Sequence, residues 1–372
     1  MPPKLVGWGS NLHGQLGQDL SVLQVAAPVT IDNAERIVCV TATQVLYTLN
    51  GQMYLYGYMP DHDSKPTRHS VPWTNPRAIL GQDYVEACLD EDGYLCLGFS
   101  NTRCGQTTWQ HAAMDKTGRI IAISNERKAV LFNTLNEMVL GINAIPLSAP
   151  NLPPLDRAFA GGSHFVLFAP QASLPIYTYG DNRFCQLGDI YVPSKGLHGL
   201  SFFSRDEGFP ASIHSVVCGD RHSLALTSDG DCYFWGWSVF HGHTLPEPVD
   251  VGHGPDLVNV TSMACATDVS IFLLEDGSVW STKRGDTETR FATEAHRVQF
   301  HGMNYPLDIG AAQWSYYALV QNKSPRDPCN RWNGRNHNCR FTGSMKHHLM
   351  VHPVGHLESR APPACCNSPW HY

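Results

Sequence analysis

The sequence predicts an all-β protein, a seven-bladed β-propeller closed by a blade shared between the N- and C-terminal ends of the chain. Three observations carry that expectation. A unit built as strand, Gly-x-x-His, strand, tight turn, strand ending in an aromatic-Gly pair, then Asn-x-x-x-Gln-Leu-Gly recurs along the chain. Seven units are counted when a split one is taken once. The two halves of that split unit stand at opposite ends of the sequence, which predicts a ring, because ring closure removes exposed sheet edges.

The chain opens on a closing phrase: "KLVGWG" reads as a third strand with its aromatic-Gly pair, and Asn11 to Gly17 supply the Gln-Leu-Gly turn. The next unit starts near residue 37, "IVCVTATQVLYTLNGQMYLYGY", with Thr41 and Gln44 in place of the glycine and histidine. Units near 79, "ILGQDYVEACLDEDGYLCLGFSNTRCGQ", and near 120, "IIAISNERKAVLFNTLNEMVLGIN", follow; the latter is the most degenerate. The pattern is strongest near 157, in "FAGGSHFVLF" with "YTYGDNRFCQLGD", and near 214, in "VCGDRHSLALTSDGDCYFWGW". A unit near 258, "VTSMACATDVSIFLLEDGSVWSTKRGD", precedes "DIGAAQWSYYALVQ" near 308, which stops after two strands and is completed by Lys4 to Gly17.

Turn chemistry supports short antiparallel sheets. Asn50-Gly51, Asp92-Gly93, Asp229-Gly230 and Asp276-Gly277 separate apolar runs, and each is expected to form a two-residue hairpin with left-handed backbone. Gly161, Gly180, Gly188, Gly219 and Gly236 fall at strand ends, where positive φ or close backbone approach calls for glycine. Leu16 and Leu187 are expected to plug the gaps between sheets. The innermost strands read Val-Val-Cys, Ala-Phe-Ala and Met-Ala-Cys, small and apolar as packing about an axis demands.

Charge and composition narrow the function. Of 372 residues, 26 are Lys or Arg and 33 Asp or Glu, so the net charge of -7 argues against a protein that grips a phosphate backbone and against specific nucleic-acid binding. The start lacks a charged leader followed by an apolar stretch, and no apolar run approaches the roughly 18 residues of a membrane span; the expectation is a soluble, intracellular chain with no membrane partner. Most of the twelve scattered cysteines then read as buried thiols, and the sequons at Asn259 and Asn322 mean little without a secretory route. No nucleophile elbow, phosphate-cradling loop or His-Glu-x-x-His pair occurs, so no catalytic, cofactor or metal residues are predicted and the chain is expected not to be an enzyme. His164 and His222 read as structural hydrogen-bonding groups at strand junctions. Pro60 to Pro66, "PDHDSKP", reads as a solvated loop.

The predicted propeller spans residues 1–321, and 322–372 form a basic, His/Cys/Pro-rich tail expected to be disordered, with seven Lys and Arg against Asp327 and Glu358. Cys339, His352 and His356 have the spacing of half a zinc finger. The other half fails, because nine residues separate Cys329 from Cys339, and Pro353 interrupts the ligand helix.

In four-stranded antiparallel blades the first and third turns emerge on one face. Asp181, Asn182, Arg183, Asp220, Arg221, Trp237 and Trp314, with Asn11, His13 and Gln313 beside them, are therefore expected to share a face. Arg and Trp are enriched in interface hot spots, which makes this the candidate protein-binding face; the competing reading is a solvated rim with Trp237 tucked between blades.

Through "GDNRFCQLGD" and "VVCGDRHSLALTSDGDCYFWGW" the chain resembles the regulator of chromosome condensation repeat family, over roughly residues 4–321. Its decayed repeats look like those of the short, divergent members, the alpha-tubulin suppressor proteins and small single-domain animal relatives. The resemblance implies a non-catalytic protein-interaction propeller, cytoplasmic, nuclear or both. For the former members it implies partner binding in the diphthamide and tRNA wobble-uridine modification pathways, through a small metal-carrying electron-transfer protein; for the latter, a chromatin link. The founding member implies an alternative, guanine nucleotide exchange on a small GTPase of nuclear transport. That activity uses a projecting β-wedge, and the longest segments between units, Asp61 to Arg77 and Asp189 to Ser212, carry no hairpin signal for one.

Overall fold

The computed structural model describes residues 3–10, 24–59, 67–192, 196–237, 242–249, 251, 258–282, 295–298, 305–313 and 315–321. Asn11, His13, Leu16, the 60–66 segment, Trp314 and the 322–372 tail lie outside the described residues.

Among the described residues, twenty-seven strands build seven antiparallel blades, with little helix. Blade 1 consists of Arg36–Val40, Gln44–Leu49, Gln52–Gly57 and Thr67–Ser70. Blades 2 and 3 share one long strand, Arg103–Met114: its first half pairs with Tyr94–Leu97 of blade 2, and its second half with Ile120–Ser124 of blade 3. Ala78–Leu80 and Ala87–Leu89 complete blade 2, and Ala129–Phe132 with Ile145–Pro146 complete blade 3. Blade 4 holds Arg157–Ala160, His164–Phe168, Ile176–Gly180 and His198–Gly199; blade 5 holds Ile213–Cys218, His222–Thr227, Cys232–Trp237 and Gly242–Pro248. Blade 6 runs through Val260–Cys265, Ser270–Leu274, Val279–Thr282 and Ala295–Arg297. Blade 7 joins Tyr305–Ala312 and Ser315–Gln321 to Lys4–Ser10 and Gln24–Asp32, with Leu5 opposite Leu319 and Val6 opposite Ala318.

Burial follows the two-residue period of strands: one side of a blade faces each neighbour. Apolar clusters fill the space between successive blades all the way round. Phe165 and Leu167 of blade 4 meet Ile121 and Leu131 of blade 3, while Val166 and Phe168, the alternate residues, meet Val216 and Trp235 of blade 5. In blade 7, Leu5 packs with Tyr47 of blade 1, and Val6 with Ile271 of blade 6.

Two expectations are corrected. The unit placed near 120 starts one strand too late, because its innermost strand is the Trp109 to Met114 half of the shared strand, which carries no Gly-x-x-His to mark it. Of the four Asx-Gly turns, only Asn50-Gly51 has left-handed backbone at both residues, closing the two-residue loop between Leu49 and Gln52. At the others glycine alone has positive φ, and the Gly93 N–H donates to Asp90 while Asp90 N–H donates to Tyr94, the three-residue loop of a turn followed by a bulge. The Asp side chain steers this outcome at Asp90, which caps the N–H groups of Asp92 and Tyr94.

Candidate protein-interaction face

The turns between first and second strands bond to one another around the inner ring. Ala42 N–H donates to Gln82, Lys116 to Gly162, Gly162 to Asp220, Asp220 to Thr267 and Thr267 to Gln313, at 2.9 to 3.3 Å. Third-strand ends dock on the same turns: Asp181 N–H donates to Ser163 and Trp237 N–H to Arg221, both at 2.9 Å. The predicted sharing of a face therefore holds for the described residues.

Gly-x-x-His belongs to this inner ring. His164 and His222 are fully buried, and their Nε2 atoms reach Ser223 and Ser270 of the next blade at 2.8 and 3.0 Å. Each ring lies on the glycine three residues before it. A Cβ at Gly161 would stand 2.2 Å from His164 Cε1 and 2.4 Å from Gly219 O, and one at Gly219 would stand 2.3 Å from His222 Cε1. Burial, with Arg119 adding to it against Asp181, pushes His164 down to about 4, so it is neutral at physiological pH. These histidines join blades.

The Asn-x-x-x-Gln-Leu-Gly turn is also an internal brace. Asn182 Nδ2 donates to the Asp189 and Val192 carbonyls at 2.8 Å, its Oδ1 accepts from Leu187 N–H, and the Gln186 carbonyl accepts from Trp235 Nε1 at 3.0 Å. Leu187 is buried as expected. Asn182 thus holds its own loop in place.

The exposed surface of the face lies where blades 4 and 5 meet. The Arg221 guanidinium sits over the Phe184 ring at 4.5 Å and the Trp237 ring at 5.4 Å, and the two rings are 5.7 Å apart. Trp237 remains 36% exposed: Phe184 supports one side of it and solvent still reaches it. Arg183, 79% exposed in its side chain, pairs with Asp181 at 2.8 Å. Against the burial that would raise it, these hydrogen bonds hold the Asp181 carboxyl below the usual range. Asp220 pairs with Lys116 at 2.6 Å, and burial lifts the Asp268 carboxyl above its ordinary value. Cations thus stand outward over partly buried acids.

Sequence reasoning missed Lys116, Phe184, Asp268 and Tyr191. Phe184 and Tyr191 had a usable signal, since an aromatic inside a polar turn has no core to fill; Tyr191 is 89% exposed beside Ile190 on the loop that Asn182 braces. Gln313 donates to Asp83 at 2.8 Å, away from the Arg221 cluster, and is not brought together with it. The described cysteines are free thiols, and burial pushes Cys39 up to about 11 and Cys218 up to about 12. Among the described residues no His, Cys, Asp and Glu group could hold a metal ion.

The fold and its strand order define a seven-bladed β-propeller. Residues 213–241 match the family model of the regulator of chromosome condensation (RCC1) repeat. The chain is similar to the ultraviolet-B receptor UVR8 of Arabidopsis thaliana, 35% identical over 30% of this chain and 25% of that protein. It is similar to the human RCC1-like G exchanging factor-like protein, 25% identical over 37% of this chain and 30% of that protein, and to human E3 ubiquitin-protein ligase HERC2, 27% identical over 61% and 5%. The matches thus span less than a third of each of these relatives. Two solved structures share the fold: human WBSCR16, with a TM-score of 0.64 at 12% identity over 87% of this chain and 100% of that one, and Prp20p from Saccharomyces cerevisiae, studied for its binding to Gsp1p and histones, with 0.64 at 14% over 87% and 93%. The chain thus carries a regulator of chromosome condensation repeat at residues 213–241 and shares its fold with Prp20p and WBSCR16.

Proposed function

We propose that this protein is a non-catalytic interaction propeller whose protein partner docks where blades 4 and 5 meet, on Arg183, Arg221, Trp237, Phe184 and Tyr191. One observation carries the reading: the Arg221 guanidinium is held over two adjacent aromatic rings that solvent can reach, so an aromatic and cationic surface is ordered before any partner arrives. Preordering lowers the entropy lost on docking, and Arg, Trp and Tyr are the residue types that dominate binding hot spots. Asp181 and Asp220 hold the cations in position. Trp314, outside the described residues, is proposed only by its place in the repeat.

Nucleotide exchange on a small GTPase is the second reading, favoured by the likeness to an RCC1-like exchanging factor and by the shared fold with Prp20p, which binds Gsp1p. Affinity purification of the full chain from its own cells, with magnesium present and with magnesium chelated, separates the two. A partner retained in both conditions and lost on charge reversal at Arg183 and Arg221 supports the interaction module. Its identity chooses between an electron-transfer partner of the modification pathways and chromatin, and so between cytoplasm and nucleus. A GTPase captured only under chelation is the signature of an exchange factor and overturns the first reading.

A further inference from the structure

Each of the four Asx-Gly turns sets a glycine amide next to an Asn or Asp side chain. In three of them the glycine N–H is tied to a main-chain carbonyl of its own hairpin: Gly93 to Asp90, Gly230 to Thr227 and Gly277 to Leu274, at 2.9 to 3.2 Å. Asn50-Gly51 differs. The Gly51 N–H donates to a side chain, Glu35 Oε2, at 3.1 Å. A Cβ at Gly51 would meet nothing within 4 Å, whereas one at Gly93 or Gly230 would stand 2.3 or 2.4 Å from a neighbouring atom. Asn50, Gly51 and Glu35 are all exposed. An uncrowded, solvated amide nitrogen can attack a carboxamide on the preceding residue, and of the four turns only Asn50 offers a carboxamide.

Conformation holds this reaction back. Asn50 has a φ of 49° and Gly51 one of 70°, both left-handed. In that region ψ is about +30 to +60°, which turns the Gly51 nitrogen to the side of Asn50 opposite its Cβ, so a five-membered ring cannot close until the turn opens. Glu35 opposes the opening through both its main chain and its side chain: its N–H donates to the Thr48 carbonyl at 2.8 Å, and its carboxylate holds the Gly51 N–H. Both sides of this contact are anchored in the core. Ala34 and Leu49, the chain neighbours of Glu35 and Asn50, are buried together with Leu5 where blade 7 meets blade 1.

We infer that Asn50 is a site of spontaneous deamidation, gated by the hairpin turn that Glu35 holds shut. When the turn opens, the Gly51 nitrogen gives its proton to water or hydroxide and bonds to Asn50 Cγ; the Cγ–Nδ2 bond breaks, and the side-chain nitrogen takes up a proton and leaves as ammonia. One water then opens the cyclic imide at either carbonyl, leaving aspartate or isoaspartate. The sum is one water consumed and one ammonia released, with no change of oxidation state. Either product sets a new carboxylate beside Glu35, and isoaspartate lengthens the main chain by one carbon inside a two-residue loop, next to the Leu49 contact between blades 7 and 1. The site is separate from the blade 4 and 5 face, so either assignment can fail alone.

The test incubates the full chain at neutral pH and follows the segment holding residue 50 by peptide mass mapping, with chromatographic separation of isoaspartate. Beside it run a capped peptide of residues 45–55, too short for a stable hairpin, and the full-length variants Glu35→Ala and Glu35→Gln. The peptide is expected to deamidate at least about tenfold faster than the folded chain, and Glu35→Ala at least about threefold faster with an unchanged thermal midpoint, because a local opening lies well below global unfolding. Glu35→Gln keeps an acceptor for the Gly51 N–H and should stay near the parent rate. A folded chain that deamidates as fast as the peptide overturns the gate. A Glu35→Ala chain that deamidates no faster than the parent overturns the role of Glu35, and a slower one would mark its carboxylate as the base that deprotonates Gly51. If peptide and chain both keep the amide, Asn50 is not a modification site.

Discussion

His164 Nε2 lies 2.8 Å from Ser223 Oγ, and the bond joins two blades. The residue after the next histidine therefore receives the previous one, and His222 passes the relation on to Ser270. Elsewhere the relation outlives the motif. Gln44 occupies the histidine place in blade 1, and its Oε1 accepts from Val85 N–H of blade 2 at 2.8 Å; in blade 3, Arg119 Nη2 donates to the Ser163 carbonyl of blade 4 at 2.9 Å. What the position requires is a polar group long enough to cross to the next blade.

Acid should weaken the fold through these histidines. His164 and His111 are both held near 4, below the roughly 6.5 of an unfolded histidine, so between those values the unfolded chain binds more protons. Their contribution is complete above pH 6.5 and falls as pH drops toward 4, by on the order of 3 kcal/mol per histidine. Urea midpoints measured from pH 7 to pH 4 should decline with that profile, and His164→Gln should flatten it. An unchanged slope in the variant would mean that His164 protonates as freely in the native state as in the unfolded one.

Gly161→Ala and Gly219→Ala should each cost about 2 to 4 kcal/mol, beyond the usual cost of overpacking, because the added methyl meets both a buried imidazole and a backbone carbonyl of the next blade. Gly51→Ala provides the contrast. Its φ is +70° but its Cβ would meet nothing within 4 Å, so only the left-handed strain remains, about 1 kcal/mol. Chemical denaturation of the three variants checks the order; equal losses would show that packing at the inner ring is not what selects glycine.

Blades 4 and 5 were the most legible in the sequence because their turns need glycine and histidine at fixed positions for steric reasons. Blade 3 was misplaced by one strand for an equally physical reason. Its inner strand continues from the outer strand of blade 2 without a turn, so no Gly, Pro or Asx marks the boundary between Gln106 and Trp109. The face was legible as topology but not as contacts: alternation of turns placed Arg221 and Trp237 together, whereas the Lys116 to Asp220 pair joins residues 104 apart and has no local signal.

Strand Lys4–Ser10 should matter to stability far more than a chain end usually does. Leu5 and Val6 face opposite interfaces, Leu5 toward blade 1 and Val6 toward blade 6, and both are buried. Leu5→Ala should cost about 2 to 5 kcal/mol, and removal of residues 1–17 should lower the thermal midpoint of the whole propeller. A truncated chain that melts like the full one would mean that blade 7 holds without its N-terminal half.

Arg221→Glu and Arg183→Glu should separate binding from stability. Arg183 is mostly exposed and its pair with Asp181 is a surface ion pair, so reversing it should change stability by less than about 1 kcal/mol. Arg221 also loses its place over Phe184 and Trp237, adding about 0.5 to 1 kcal/mol. A partner docked on this face should nevertheless bind at least about tenfold more weakly to either variant, because a carboxylate then stands where a guanidinium met it, beside the existing Asp220 and Asp268. Trp237→Ala tests the aromatic half without adding charge. If all three variants keep their thermal midpoint and the captured partner binds each as it binds the parent chain, the surface between blades 4 and 5 is a solvated rim and the partner must be sought elsewhere on the ring.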